Sequence, residues 1–240
     1  MPAHPFFEKM QRLTGYLSVD FLGGPRMLKF AWVVNFQKGA TLLWVALLMW
    51  AYGNFSVQAW VYLALHGTYG LCWLMKDMVF PDPGWQRYIT FGGALVAVLF
   101  VLGPYWLIPW VLISGVPTAD GHQGASLPWL AVSIGVHTFG LALMLTADAQ
   151  KFFTLRYRRG LITDGLFRYL RHPNYLGEMM IYGAYAIVVW HWIPWLILVL
   201  IWFFVFTTNM KMKEASMARY PEWDEYRRRT GMLLPRLRRR

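Results

Sequence analysis

The chain has 240 residues, of which 57% are hydrophobic and only 15% are charged, with 14 Trp and 13 Met. Soluble globular domains are about a quarter charged, so this composition argues against a soluble globule and favours an integral membrane protein. The single cysteine, Cys72, excludes a disulfide within the chain.

Long apolar runs predict the secondary structure, because runs of about 18 residues or more are typical of membrane-crossing helices. In chain order they cover residues 29–52, 56–75, 88–113, 127–147 and 178–210. The last run is long enough to cross twice, and His191 and Pro194 interrupt it, so we interpret it as two helices joined by a tight turn. The sequence therefore predicts an all-α integral membrane protein, a bundle of six transmembrane helices.

The first 27 residues precede these runs and lack the apolar core of a cleavable signal peptide. They are interpreted as an interfacial arm with Gly23-Gly24-Pro25 as its hinge. A seventh span is predicted if this arm also enters the bilayer.

The net charge of +11 is distributed unevenly over the predicted loops. Cytoplasmic loops attract Lys and Arg, and the six-span arrangement places the basic segments on one side, with both termini. The opposite loops, around Gly53, 116–126 and His191, contain no Lys or Arg. We therefore expect cytoplasmic termini in a multi-pass protein, in the inner membrane if it is bacterial. Topology and contact with anionic lipid, including a contact by the basic cluster 236–240, account for the charge without nucleic acid.

Polar side chains recur at helical spacing inside three predicted spans. Ionisable residues in lipid normally face the bundle interior, so these stripes predict an inner cavity that opens towards the basic side. A lone histidine in a span can instead be a packing residue, and Asp148 can simply end its span. The stripes are His66, Tyr69, Trp73 and Lys76; His137, Met144 and Asp148; and Asn174, Glu178, Tyr182 and Tyr185.

The stretch "RHPNYLGE", residues 171–178, combines charged groups with the start of an apolar helix. Pro173 suits the first helical turn, whose free N–H groups favour an anion. Basic, aromatic-bearing segments at 151–171 and 211–235 could close around a polyanion. The chain lacks GxGxxG after a strand and GxxxxGK[ST], so side chains would have to hold any nucleotide. No Cys/His spacing suggests a metal site.

"GLFRYLRHPNYLGE" resembles the C-terminal signature of the integral-membrane sterol C14-reductases and steroid 5α-reductases, with their bacterial DUF1295 relatives. "ADAQK" at 147–151 and "KEASMARYPEWDEYRRRTGMLLP" at 213–235 extend the likeness to residues 147–235. Membrane isoprenylcysteine carboxyl methyltransferases share the "RHPxYxG" core. Asn174 and Glu178 fit the reductases better.

The resemblance implies a single membrane domain, 1–240, whose half at about 147–235 binds NADPH on the cytoplasmic side. It implies hydride transfer to an activated C=C of a lipophilic substrate, with a 3-oxo-Δ4 steroid as the leading expectation. The cofactor-binding residues that it implies are Asp148, Gln150, Lys151, Arg171, His172, Asn174, Tyr175, Glu178, Tyr226 and Arg229.

The steroid 5α-reductases use a Glu and a Tyr in their N-terminal half to polarise the substrate carbonyl. Neither of the first two predicted spans contains a carboxylate, so Tyr69, with His66 beside it, is the expected hydrogen-bond donor. Two alternatives stay open. One is a methyltransferase that uses S-adenosylmethionine and acts on a prenylated thiol carboxylate or a phospholipid, and the other is a non-catalytic lipid-binding or scaffold protein.

Overall fold

The computed structural model describes residues 4–115 and 124–236. The predicted loop at 116–126 lies mostly outside the described residues. So do residues 237–240 of the basic cluster predicted to contact lipid. The regular secondary structure of the described part is helical apart from one two-stranded pairing and one isolated bridge, which confirms the all-α class.

The N-terminal arm is docked on the bundle. Helix α1, Pro5–Val19, packs on α4, Phe91–Val96, where a Cβ added at Gly93 would lie 2.9 Å from the Ser18 carbonyl oxygen. Only glycine permits this close approach. Strand β1, Leu28–Lys29, then pairs antiparallel with β2, Tyr88–Ile89.

The first two apolar runs form neighbouring helices. Helix α2 spans Phe30–Tyr52 and α3 spans Val57–Val79, four residues beyond the predicted end at 75. Gly53 ends α2 in the left-handed conformation (φ 63°), and Ser56 caps α3 by accepting a hydrogen bond from the Ala59 N–H. Residues of the turn itself thus specify both the end of α2 and the start of α3.

The third run is helical but bent. Helix α4 continues through a π-helical turn, Ala97–Leu102, into α5, Pro104–Ser114, and the two parts are inclined at 42°. Pro104 cannot donate to the preceding turn, so the bend falls where proline is expected to place it.

Helices α6, Leu127–Tyr157, and α7, Pro173–Val189, pack closely. A Cβ on Gly177 would lie 2.6 Å from the Gly140 carbonyl oxygen, so the glycine of "RHPNYLGE" lets the two backbones touch. Helix α6 runs ten residues past the predicted end at 147. Its additional turns carry Asp148, Gln150 and Lys151 on a rigid element.

The predicted break after α7 is present, with Trp190 left-handed (φ 53°) before α8, Trp192–Ile201. A π-helical turn, Trp202–Thr207, leads into α9, Thr208–Met217, and the tail forms α10, Trp223–Arg229. The chain after α10 pairs with the segment before α7, since the Arg171 and His172 N–H groups donate to Gly231 and Met232 carbonyls at 2.9 and 3.1 Å.

Within the described residues, three helical stretches are long and apolar enough to cross a membrane, or four if the bent pair is one span. Helix α7 has only 17 residues, and α3 carries Lys76 and Asp77 near its end. The three or four spanning stretches are compatible with a multi-pass membrane protein. They are the stretches Phe30–Tyr52, Leu127–Tyr157 and Trp192–Met217, with Phe91–Leu102 plus Pro104–Ser114 as the bent pair.

Candidate cofactor and substrate site

Two adjoining cavities lie where the polar stripes meet. We call the larger, of about 530 Å³, the outer cavity, and the smaller, of about 110 Å³, the inner cavity. Asn174 and Lys213 line both, so these two side chains stand at the junction. A ligand held in the outer cavity could therefore present one end to the inner cavity.

The outer cavity is strongly cationic. Five of its lining side chains are basic, and none of the described residues that line it is acidic. Arginine forks and lysine ammonium groups bind phosphate oxygens well, and Tyr220 and Tyr226 add aromatic surface. The basic residues are Lys151, Arg159, Arg171, Lys213 and Arg219.

Arg171 lines this cavity, but two of its three guanidinium nitrogens are hydrogen-bonded to other parts of the protein. Its Nε donates to Glu214 Oε1 at 2.6 Å, and its Nη1 donates to the Thr230 carbonyl at 2.5 Å. The family resemblance implies that Arg171 binds the cofactor, but the sequence does not reveal this second role. Glu214 and Thr230 lie over 40 residues away along the chain, and no local pattern links them to Arg171.

His172 is buried beside the same carboxylate, with Nε2 3.7 Å from Glu214 Oε1. Burial lowers the pKa of His172, and this effect outweighs the Glu214 carboxylate, which raises the same pKa. The imidazole is therefore neutral near pH 7 and contributes hydrogen-bonding capacity rather than charge to the outer cavity.

Two ion pairs join α6 to the end of α3. Asp148 Oδ2 lies 3.0 Å from Lys76 Nζ, and Lys151 Nζ lies 3.2 Å from Asp82 Oδ2. Burial raises the pKa of Asp82, but Lys151 and the Gly84 N–H outweigh it, so the net shift is downward. Asp148 thus lines the inner cavity and Lys151 the outer cavity, each paired with an oppositely charged side chain.

Gln150 lies outside the lining of the described cavities. Its Nε2 donates to the Asp164 carbonyl at 2.9 Å, and its Oε1 accepts from the Leu166 N–H at 3.1 Å. Both ends of the amide therefore hold the loop before α7. Its predicted contact with a cofactor would require these bonds to open.

The tail residues take different positions. Tyr226 lines the outer cavity and donates to the Phe167 carbonyl at 2.9 Å, and burial raises its pKa to about 12. Arg229 does not line this cavity in the described part of the chain. It pairs with Glu225 at 3.8 Å, one turn earlier, with its guanidinium 5.9 Å from the Tyr226 ring.

Asn174, Glu178 and Tyr182, three members of the predicted stripe, line the inner cavity together with Tyr175. Tyr185, the last member of that stripe, contacts His137 Nε2 at 3.2 Å instead. Glu178 faces Lys38 and Lys76, which also line the inner cavity. Lys213 donates to the Tyr175 hydroxyl at 3.1 Å and covers its ring.

Lys38 is the residue that sequence reasoning missed. It is buried in α2 and donates a hydrogen bond to the Tyr182 hydroxyl. Its Nζ lies 4.7–5.5 Å from the centres of four aromatic rings, a geometry that stabilises a cation. The available signal was that Lys38 is the only Lys or Arg in the interior of a predicted span, since Lys29 is the first residue of its span. The four rings are Tyr69, Trp73, Tyr105 and Tyr182.

The two predicted catalytic residues lie one layer behind the lining. Tyr69 is fully buried, with its ring centre 5.7 Å from that of Tyr182. His66 is stacked on Tyr185 at 4.3 Å, with Nδ1 3.1 Å from the Tyr62 hydroxyl. In the described structure neither residue reaches the inner cavity, because Tyr182 and Lys38 fill that position.

These helices and cavities define a class: a helical protein of the membrane type, with a cationic opening above a small polar chamber. The chain matches the family model described as "Protein of unknown function (DUF1295)" over residues 9–230, and it therefore belongs to this family. The match includes every residue of both cavities.

An uncharacterized protein of Schizosaccharomyces pombe is 35% identical to this chain over 148 residues. The alignment covers 49% of this chain and 42% of the yeast protein. The chain thus spans less than half the length of that relative, and the similarity carries no statement about activity.

Proposed function

We propose that the protein is an NADPH-dependent membrane reductase that transfers a hydride to an activated C=C of a lipophilic substrate. The proposal goes beyond membership of the DUF1295 family and assigns the chain to the steroid 5α-reductase and sterol C14-reductase group, whose motifs its sequence resembles. The observation that carries it is the outer cavity, which has five basic side chains, no acidic side chain among its described lining residues, and a junction with the inner cavity at Asn174 and Lys213.

The outer cavity fits the phosphate-bearing part of NADPH. Its volume of about 530 Å³ lies within the range of about 300–1,000 Å³ typical of small-molecule sites. Its basic lining suits a polyanion better than the sulfonium cation of S-adenosylmethionine, with Lys151 and Arg171 already paired to Asp82 and Glu214. Lys151, Arg159, Arg171, Lys213 and Arg219 would hold the phosphates. Asn174 would pair with the nicotinamide amide at the junction.

When bound, NADPH supplies the hydride. The chain's own residues then have three tasks: to orient the two ligands, to exclude water and to provide a proton. Tyr175, Glu178 and Tyr182 line the chamber where the transfer would occur, and a dry chamber strengthens any hydrogen bond to a developing charge.

The proposed substrate is a 3-oxo-Δ4 steroid or another hydrophobic enone. The inner cavity, at about 110 Å³, is smaller than a typical ligand site, so a steroid would have to widen it. Two π-helical turns supply part of its apolar wall, through Val101 and Leu102 on one side and Val205 and Phe206 on the other. Such turns often mark functional sites, and repacking them would enlarge the chamber.

Tyr69 was the expected hydrogen-bond donor, with His66 beside it. Because both lie behind Tyr182, the proposal gives them an indirect role. They would fix the position of the side chains that reach the substrate.

For topology, we propose six membrane crossings with both termini and the outer cavity on the cytoplasmic side. The distribution of Lys and Arg over the loops supports this arrangement. It would expose the outer cavity to the cytoplasmic pool of NADPH and the inner cavity to lipid-borne substrate. A single domain would then contain both parts of the site.

The test is a binding titration of the purified protein with NADPH and with S-adenosylmethionine, followed by product analysis with testosterone. We expect saturable NADPH binding and formation of the saturated ketone. Tight binding of S-adenosylmethionine alone would favour a methyltransferase instead. Binding of neither compound would favour a non-catalytic lipid-binding protein.

A further inference from the structure

We propose that Tyr182 is the proton donor of the inner cavity and that Lys38 is its positioning residue. This inference rests on the proposed reductase function and names residues that neither the motifs nor the family assign. It begins from the direct bond between the two side chains, which come from α2 and α7, 144 residues apart in the chain.

Tyr182 combines burial with access to the chamber. Its side chain is almost completely buried, yet it lines the inner cavity. Its ring is stacked on Tyr105 with centres 4.1 Å apart and meets Tyr69 edge to face at 5.7 Å. The hydroxyl is therefore held in one position, which is what a donor to a substrate atom requires.

Lys38 determines what the Tyr182 hydroxyl can do. The ammonium donates to the phenolic oxygen, so the phenol's own proton can go to another acceptor, either the neighbouring Tyr69 hydroxyl or a ligand atom in the chamber. A cation at the phenolic oxygen also stabilises the negative charge that appears there when the proton leaves. The ring of aromatic side chains around Lys38 keeps the charge in place without a competing carboxylate bond.

The charged groups facing this pair come from every neighbouring helix. They are roughly balanced in sign, since Lys76 and Asp148 form a pair at 3.0 Å and Glu178 faces Lys38. These groups offer a route by which solvent protons reach Lys38. The titratable groups that line the chamber beside this pair are Lys76 from α3, Asp82 from the loop after α3, Tyr105 from α5, Asp148 from α6, Tyr175 and Glu178 from α7, and Lys213 from α9, and Tyr69 from α3 packs against the pair from behind.

In the proposed step the substrate takes a hydride at carbon and a proton at oxygen. As a hydride and its electron pair reach the β-carbon of the enone, the π electrons shift onto the carbonyl oxygen, which takes the Tyr182 proton. The phenolate then regains a proton from the Lys38 ammonium, and Lys38 recovers one from solvent. The enol isomerises to the ketone with no net change in protons, so the substrate gains one hydride and one proton overall.

The first test needs no cofactor. A hydrogen bond to the carbonyl shifts the ultraviolet absorption of a bound enone to longer wavelength, so testosterone bound to the wild-type protein should show this shift. Tyr182→Phe should abolish the shift while testosterone still binds. Lys38→Met should reduce it, and Lys38→Arg should restore part of it. A purely structural role for Lys38 would not change the spectrum of a ligand that still binds.

The matched control is Tyr185→Phe, which removes a hydroxyl from the same helix, one turn away from Tyr182, where it contacts His137 outside the cavity lining. It should keep the wild-type shift. With NADPH present, Tyr182→Phe should lower kcat by about 10²–10⁴-fold, the usual contribution of general acid catalysis, and leave NADPH affinity unchanged.

The outcomes separate the two proposals. A wild-type protein that binds testosterone without a shift, or a Tyr182→Phe variant that keeps the shift and full kcat, overturns the assignment of Tyr182. Failure of the wild-type protein to bind NADPH overturns the reductase proposal, whatever the spectra show. An equal loss of shift in Tyr185→Phe would mean that general repacking causes the effect, and it would also overturn the assignment.

Discussion

Arg171 and Glu214 form a buried ion pair between the start of α7 and α9, with Arg171 Nε 2.6 Å from Glu214 Oε1 and both side chains less than a tenth exposed. Removing one partner of such a pair leaves the other charge buried and uncompensated, which costs far more than the intact pair contributes. Arg171 therefore stabilises the fold in addition to its proposed contact with the cofactor.

Arg171→Ala should affect both stability and binding. We expect a loss of about 3–5 kcal/mol in the free energy of unfolding, because Glu214 loses its closest cationic partner and retains the more distant Lys211, at 3.7 Å. We also expect NADPH affinity to fall by about 1.5–3 kcal/mol, the range for a hydrogen bond to a charged group. Thermal unfolding in detergent and a binding titration measure the two effects. Arg168→Ala, a change at an exposed arginine in the preceding turn, is the control.

A variant with wild-type stability would contradict the structural role of Arg171. Unchanged affinity in a folded protein would remove it from the cofactor site. The double variant Arg171→Met with Glu214→Leu should unfold at a higher temperature than either single variant, because it does not bury one member of this ion pair without the other.

The outer cavity distinguishes arginines that line it from those that do not. Arg219→Ala should weaken NADPH binding by about 1.5–3 kcal/mol. Arg229→Ala should leave it near the wild-type value, because Arg229 pairs with Glu225 outside the lining. Isothermal titration of both variants checks this. A larger loss for Arg229 than for Arg219 would show that the tail closes over the cofactor.

Tyr69→Phe should lower turnover and spare NADPH affinity, since Tyr69 packs against Tyr182 but lies behind the cavity lining. We expect the loss in kcat to be smaller than for Tyr182→Phe. Steady-state kinetics of the two variants measured together give the comparison. Unchanged turnover would discard Tyr69 altogether, and a loss equal to that of Tyr182→Phe would restore it as a donor.

The stability that Tyr226 contributes by anchoring the tail depends on pH in the alkaline range. Its pKa is raised from 10.0 to about 12, so the folded state keeps the proton that the unfolded state loses. The contribution of this residue to stability is therefore complete below pH 10 and is lost as pH rises towards 12.

At neutral pH, Tyr226→Phe should cost about 0.5–1.5 kcal/mol through the lost bond to the Phe167 carbonyl. The difference between the melting temperatures of the two proteins should narrow between pH 10 and 12. A constant difference across that range would show that Tyr226 does not titrate with folding. Tyr220→Phe, on the neighbouring turn, is a suitable control.

The helices and much of the site could be predicted from sequence because their signals are local. Apolar runs gave the positions of α2 to α8, whereas α9 lies mostly beyond the run that ends at 210. Pro173 gave the start of α7, and helical spacing gave the alignment of Asn174, Glu178 and Tyr182. Contacts between distant segments could not be read in this way. The Lys38–Tyr182 bond and the Arg171–Glu214 pair join helices whose relative rotation depends on packing, and the use of Gln150 by the Asp164 loop depends on a turn with no marked motif.

The central claim is that the cationic outer cavity holds NADPH with its reactive ring at the junction marked by Asn174 and Lys213. An experimental structure determined with NADPH added tests it most directly. The account predicts density for the phosphates among Lys151, Arg159 and Arg219, and for the nicotinamide beside Asn174, facing Tyr182. A structure at saturating NADPH with the nucleotide bound elsewhere, or with Asn174 and Glu178 turned to lipid and no chamber between the helices, would contradict it.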